Sequence, residues 1–254
     1  MAAYLELLWS LTWTDFKLRD QGSVLGFLWT LLHPALIFTV LYLLFTKWMG
    51  RLVDGFAAYL LIGIVQYQFF EKSTSYALTS LRRKTLLVRN FKFPREILVF
   101  ASVGSVFISY LLEMAVLLAL LAFFGKGPAG GWLLLPSAVL LLLSFSTGVS
   151  LCLALLAVEY QDLERIWAVF VTAGFYLTPV FYPLSILSPE RQAWVRLNPL
   201  THLLGLFRAC IVGYPSSGVL TAAAVLATGA ALIAAGLFFF RRSDAWIADR
   251  VLAP

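Results

Sequence analysis

Hydrophobic runs long enough to cross a lipid bilayer recur along the chain, separated by short polar stretches that concentrate Lys and Arg. A hydrocarbon layer of about 30 Å needs about 20 helical residues at 1.5 Å each. Six runs meet that need, at residues 29–47, 57–79, 97–124, 133–157, 165–182 and 218–240. The second is interrupted by Glu71 and Lys72. Its extension through "EKSTSYAL" takes that polar turn to face protein or water. Snorkelling of the two charges to the interface explains them equally well.

Ahead of the first run the period changes. Leu5, Leu8, Trp9, Thr12, Trp13 and Phe16 recur at spacings of three and four, with Glu6, Ser10, Thr14 and Lys17 opposite. That pattern predicts an amphipathic helix lying in the membrane interface, not a cleaved signal peptide with a basic start and an unbroken apolar core. Residues 183–215 break the pattern again. "SPERQAWVRLN" is polar, and "PLTHLLGLFRACIVG" is apolar but too short to span. Together they predict a re-entrant or interface-lying hairpin, because irregular backbone at membrane depth must pack on protein or line a wet cavity. An ordered external lid is the alternative. In the last run Ala223, Ala227, Ala231 and Ala235 lay a small-residue stripe, expected to pack against another helix of the same chain in preference to a second subunit.

The predicted fold class is an all-α polytopic membrane protein, one domain over 1–254. Residues 1–28 form the interface helix, 29–182 the first five spans, 183–215 the outer hairpin and 216–254 the sixth span with its tail. Composition supports this. The chain is 61% hydrophobic and 13% charged, with mean hydropathy +0.88, which excludes a water-soluble globule. Its net charge of +6 does not call for nucleic acid, because Lys and Arg gather in cytoplasmic loops of membrane proteins. Six spans put both ends on one side. The segments on that side carry 13 of the 19 Lys and Arg and the other segments six, so both termini are expected in the cytoplasm.

Topology makes "RRKTLLVRNFKFPREIL", residues 82–98, the main cytoplasmic loop. Leu86, Leu87 and Val88 sit there between basic residues, an apolar patch with a charged rim that suits a protein partner. Anionic lipid would need only the charges. Pro94 fixes the exit into the third span.

Candidate chemistry is sparse. Cys152 and Cys210 lack metal-ligand spacing and read as apolar fillers. His33 and His202 are the only histidines and are expected in hydrogen-bonded structural roles. "GKGPAGG" reads as a turn, and no nucleotide-binding pattern occurs. Glu113, inside the third span toward its outer half, is either functional or a neutral hydrogen-bonding group. Phe38 and Tyr42 with Phe175, Tyr176, Phe181 and Tyr182 could line a saccharide path, since sugar C–H faces pack on aromatic rings. Interface belts and lipid-facing positions are the alternative. Arg191, Arg196 and Arg208 on the outer hairpin suit a lipid pyrophosphate, and headgroup anchoring equally.

Several stretches resemble, in order, motifs of the permease subunit of type-2 ABC exporters, in the branch that exports lipid-linked polysaccharides such as O-antigen or teichoic acid. "DFKLRDQGSVLGFLWTLLHP" is similar at Asp15, Lys17, Arg19, Ser23, Leu25, Gly26, Trp29 and Pro34, and "KFPREIL" at Phe93, Pro94 and Glu96. "EYQDL" resembles a tyrosine, arginine, aspartate motif, and "LTPVFYP" with "LNPLTHLLGLFR" resembles the outer region at Pro179, Asn198, Pro199 and Arg208. The chain departs from the pattern at Gln161, where a basic residue is usual, at Asp20, where an aromatic is common, and at His33, where asparagine often precedes the proline.

The resemblance implies a homodimer with two copies of a separate cytoplasmic ABC ATPase, which binds ATP and Mg; this chain would hold no cofactor. The path would run between the two permeases in a bacterial cytoplasmic membrane. Residues Arg83, Leu86, Leu87, Val88, Arg89 and Phe91 would form a coupling helix on the ATPase, with Lys17 and Arg19 of the N-terminal helix contacting it too. Glu113 and the aromatic and arginine residues named above would line the substrate path. Two other classes stay open. A type-2 exporter of drugs or other small hydrophobic molecules shares the architecture, while an intramembrane enzyme would need a nucleophile, base or metal cluster that the sequence does not assemble.

Overall fold

Among the described residues of the computed structural model, every regular element is helical, as backbone inside lipid requires of an open chain. The structure describes residues 2–19, 26, 28–91, 93–125, 130–215 and 218–242. Asp20, Ser23 and Leu25 of the N-terminal motif, part of "GKGPAGG" and the tail after Arg242 lie outside them. The order is α1 (Ala2–Arg19), α2 (Leu28–Met49), α3 (Phe56–Leu78), α4 (Ser80–Arg83), α5 (Thr85–Asn90), α6 (Glu96–Phe123), α7 (Leu135–Glu159), α8 (Leu163–Leu177), α9 (Pro189–Arg196), α10 (Pro199–Val212) and α11 (Gly218–Arg242).

Among the described residues, four helices are long and apolar enough to cross a membrane: α2, α6, α7 with its preceding 3-10 turn, and α11. The other two expected spans differ for separate reasons. At 23 residues, α3 extends about 34 Å, which suffices, but Gln66, Gln68, Ser73 and Thr74 on it are fully buried. Its polar side chains face other helices, so its hydropathy understates how deeply it sits. Helix α8 has only 15 residues and ends at Leu177, because Thr178 turns extended ahead of Pro179. The run at 165–182 is therefore a short helix plus a break, not one span-length helix.

Helix α3 is the centre of the bundle, contacting α2, α6, α7, α8 and α10. Tyr67 donates to the Val171 carbonyl at 2.7 Å and Trp167 donates to Thr74 Oγ1 at 3.1 Å, docking α8 on α3. The segment 183–215 forms α9 and α10. Asn198 caps α10 by accepting from the Leu200 N–H at 3.0 Å, Pro199 opens it, and Gly213 closes it at φ 77°.

The alanine stripe on α11 is corrected by the packing. Ala223, Ala227, Ala231 and Ala235 are exposed, whereas Val225, Gly229, Gly236 and Phe240 are buried. The buried face lies on α7: a Cβ at Gly236 would stand 2.6 Å from Leu151 Cβ, and one at Gly148 would stand 2.6 Å from Leu232 Cβ. Glycine permits closer approach than alanine, so the glycine face took the contact.

Helix α1 also divides its faces differently from its period. Thr12 and Asp15 are buried, and Tyr4, Leu8 and Leu11 pack on a cluster with Leu81, Val88, Ile97 and Phe240. Leu5, Trp9 and Trp13 stay exposed. Trp9, Trp13 and Phe16 form a stacked ladder with ring centroids 6.0 and 5.5 Å apart.

Candidate functional site

At the level where α1 meets the bundle, a cavity of ≈ 420 Å³ opens between α2, α3 and α6. Lys72 of α3 donates to Glu113 of α6 at 2.8 Å there, with the Glu113 side chain almost fully buried. Arg19, at the end of α1, hydrogen-bonds Ser109, one helical turn before Glu113. Glu113 lies past the midpoint of α6, in the half away from the charged loop, as expected, one turn beyond the Arg19 contact. Burial of an acid is tolerable because the ammonium supplies the opposite charge. His33 of α2 lines the same cavity, and its Nδ1 donates to Gln68 Oε1 at 3.4 Å. Gln68 and Glu71 then line a second cavity of ≈ 370 Å³ together with Phe175 and Tyr176. His33 thus has the structural bond expected of it, and Glu71 and Lys72 face cavities inside the bundle. The sequence showed these charges but not that residues 41 positions apart pair.

The charged loop at 82–98 contains two short helices, α4 and α5, broken at Lys84. Lys84 turns inward and meets Asp15 of α1 at 2.5 Å, both side chains nearly buried. Burial pushes the Lys84 ammonium pKa down, and the Asp15 carboxylate partly restores it. Arg82 donates to the Ala157 carbonyl of α7. Arg83 lies 3.4 Å over the Tyr76 ring and donates to the Tyr76 carbonyl at 2.7 Å. Below them, Arg241 of α11 reaches Glu96 of α6 at 3.9 Å.

The apolar trio of this loop separates. Val88 is buried and Leu87 packs beside it, while Leu86 is 72% and Phe91 61% exposed. The apolar surface presented outward is Leu86 with Phe91, rimmed by exposed Arg83 and Arg89. Val88 anchors the loop instead. Lys17 on α1 lies 5.3 Å over the Trp13 ring and is exposed.

At the other end, Arg208 of α10 is buried. Its guanidinium donates to the carbonyls of Pro179 at 2.9 Å, Val180 at 2.7 Å and Tyr59 at 3.2 and 3.3 Å, and stacks 3.3 Å over the Tyr59 ring. One side chain thereby fixes α10 to the start of α3 and to the break after α8. Asn198 adds a bond to Thr178 Oγ1 at 2.9 Å. Arg191 and Arg196 are exposed on α9. His202 Nε2 donates to the Arg196 carbonyl at 2.7 Å.

The aromatic residues fall into two clusters, the first mostly edge-on. Phe175, Tyr176, Phe181 and Tyr182 follow one another with ring centroids 5.2 to 6.2 Å apart. Phe38 and Tyr42 stack at 5.4 Å along α2. Phe45, unnoticed in the sequence, links the two regions through Phe181 at 5.1 Å.

A helical membrane bundle with a charged loop at one end and a broken helical hairpin at the other is the framework of a transporter's membrane subunit. The chain belongs to the ABC-2 type transporter family, whose model matches residues 6–212. It is 30% identical over 245 residues, 95% of this chain and 94% of the relative, to the O-antigen export system permease protein RfbA of Myxococcus xanthus. A Klebsiella pneumoniae protein of the same name is 27% identical over 93% of this chain and 92% of its own length. The capsule polysaccharide export inner-membrane protein CtrC of Neisseria meningitidis is 24% identical over 80% and 77%.

Proposed function

We propose that this chain is the permease subunit of an ATP-driven exporter that moves a lipid-linked polysaccharide of the O-antigen or teichoic acid type out across a bacterial cytoplasmic membrane. The observation that carries the reading is the near end-to-end similarity to an O-antigen export permease. Two copies of the chain work with two copies of a separate cytoplasmic ABC ATPase, where ATP and Mg are bound. No bond is made or broken by this subunit.

In this reading α3 and α8 complete six spans, both termini are cytoplasmic, α1 lies in the interface on its Trp9, Trp13 and Phe16 ladder, and α9 with α10 re-enters from outside. Two features support it. The exposed Leu86 and Phe91 with their arginine rim form a surface suited to a protein groove, and the rings of Phe175, Tyr176 and Phe181 are grouped. The test is genetic and direct. Deletion should remove the surface glycan while its lipid-linked form accumulates inside, and the restored chain should reverse both. Normal surface glycan with altered sensitivity to hydrophobic drugs would instead establish a small-molecule exporter.

A further inference from the structure

Between α2, α3 and α8 lies the cavity of ≈ 370 Å³ that Gln68 and Glu71 line, within the range of about 300–1,000 Å³ usual for small-molecule sites. Helix α2 contributes aliphatic side chains between Leu36 and Leu41, and α8 contributes Phe175 and Tyr176. The described lining holds one carboxylate and no Lys, Arg or His.

Glu71 carries the argument. Among the described residues no hydrogen bond or ion pair reaches its carboxylate, and the bond from Thr74 Oγ1 at 3.2 Å ends on its main-chain carbonyl. The two basic side chains whose fields reach it, His33 and Lys72, are engaged with Gln68 and Glu113. A carboxylate among apolar walls lacks the opposite charge that would offset its burial, so a cation entering the cavity is favoured. The rings of Phe175 and Tyr176, with centroids 5.5 Å apart and planes at 86°, add faces to which an ammonium is drawn. The aliphatic remainder suits an apolar tail, and Leu36, Val40 and Tyr176, each at least half exposed, leave the cavity open on their side. A phospholipid headgroup fits less well, because its phosphate would find no basic residue in the described lining.

We propose that this cavity is a binding site for an amphiphilic amine, a molecule with one ammonium group on an apolar body. The binding is independent of the export reading above. Only its consequence for transport rests on that reading: an amine seated against Phe175 and Tyr176 would obstruct the proposed path.

The test uses the purified full-length chain in phosphatidylcholine nanodiscs, with dansylcadaverine as the amine probe, its N-acetyl derivative as the neutral control and empty nanodiscs as the blank. The amine should bind at least about tenfold more tightly than the acetylated probe. Glu71→Gln should erase that difference by weakening the amine about tenfold while leaving the acetylated probe unchanged. Glu71→Asp, which keeps the charge, should retain the preference, and so should Glu164→Gln, which removes an exposed acid outside this cavity. Exchanging half of the phosphatidylcholine for phosphatidylethanolamine should not shift the affinity; strong competition would give the cavity to the lipid headgroup and overturn the proposal. Equal binding of the two probes by the wild-type chain, a comparison that needs no variant to fold, overturns the site. A preference that survives Glu71→Gln, or is lost equally in Glu164→Gln, does the same. Surface glycan is a separate readout, so failure of the export reading leaves this result standing, and the reverse.

Discussion

The two ends of the bundle use arginine and lysine in opposite ways. At the loop end, Lys84 meets Asp15 and Arg241 approaches Glu96, while Arg83 and Arg89 stay exposed around Leu86 and Phe91. At the hairpin end, Arg208 is buried with backbone carbonyls as its partners. The first arrangement ties separate helices by charge and leaves a surface for something to push on. The second locks backbone to backbone through one side chain and keeps a positive charge inside. Cation content is therefore a poor guide to role; what the cation faces decides it.

The comparison breaks most sharply at Arg208. Arg208→Met removes the guanidinium donors to three buried carbonyls and should cost about 3–5 kcal/mol, read as a large fall in the thermal midpoint of the purified protein. A midpoint within a degree of wild type would show that the clasp is ornamental. Next is Asp15→Ala, which leaves Lys84 nearly buried without its carboxylate and should cost about 3 kcal/mol. The double change Asp15→Leu with Lys84→Met should recover most of that loss. Proteolysis within residues 84–91 measures the effect, since the loop would detach from α1.

A third change probes the interior between the ends. Lys72→Met alone should destabilise more than Lys72→Met combined with Glu113→Leu, with a coupling of about 1–3 kcal/mol in a double-mutant cycle. Simple additivity would mean that the ion pair does not form. The smallest effect on stability, within about 0.5 kcal/mol, belongs to Leu86→Asp with Phe91→Asp, yet it should abolish copurification with the ATPase. Retained copurification would remove that surface from the coupling role.

Alkaline pH sharpens the contrast further. Burial lowers the Lys84 pKa in the fold, so between that value and its ordinary value of about 10.4 the unfolded chain holds more protons. The Lys84 contribution to stability then rises with pH across that window. Asp15→Ala lowers the folded pKa again and should extend the rise to lower pH, seen by comparing pH profiles of the two proteins.

Much of this was legible in the sequence where a single helix face settles the matter. Apolar runs gave α2, α6, α7 and α11 within a few residues, and Pro199 with Gly213 bounded α10. Direction within a short apolar run was not legible. Nothing in "TLLV" says that Val88 points inward and Leu86 outward, because the break at Lys84 sets the rotation and depends on Asp15, 69 residues away. The clasp was hidden for a related reason. Its acceptors are main-chain carbonyls 28, 29 and 149 residues from Arg208, and a carbonyl leaves no mark on the residue type that carries it. On α11 the alanines repeated more conspicuously than Gly229 and Gly236, yet the less frequent residue made the closer contact.

The polar interior of α3 bears on how the chain enters a membrane. Lys costs about 2.5–3.5 kcal/mol at the centre of a lone inserting helix, and Glu71, Gln66 and Gln68 add to that. Left to partition by itself, α3 would have little reason to stay in lipid. Its neighbours α2 and α6 are far more apolar, and α6 brings the carboxylate that neutralises Lys72. In the six-span reading, the bilayer receives α3 as a passenger of the helices on either side, and its residence is secured only once the chain beyond the loop has been made.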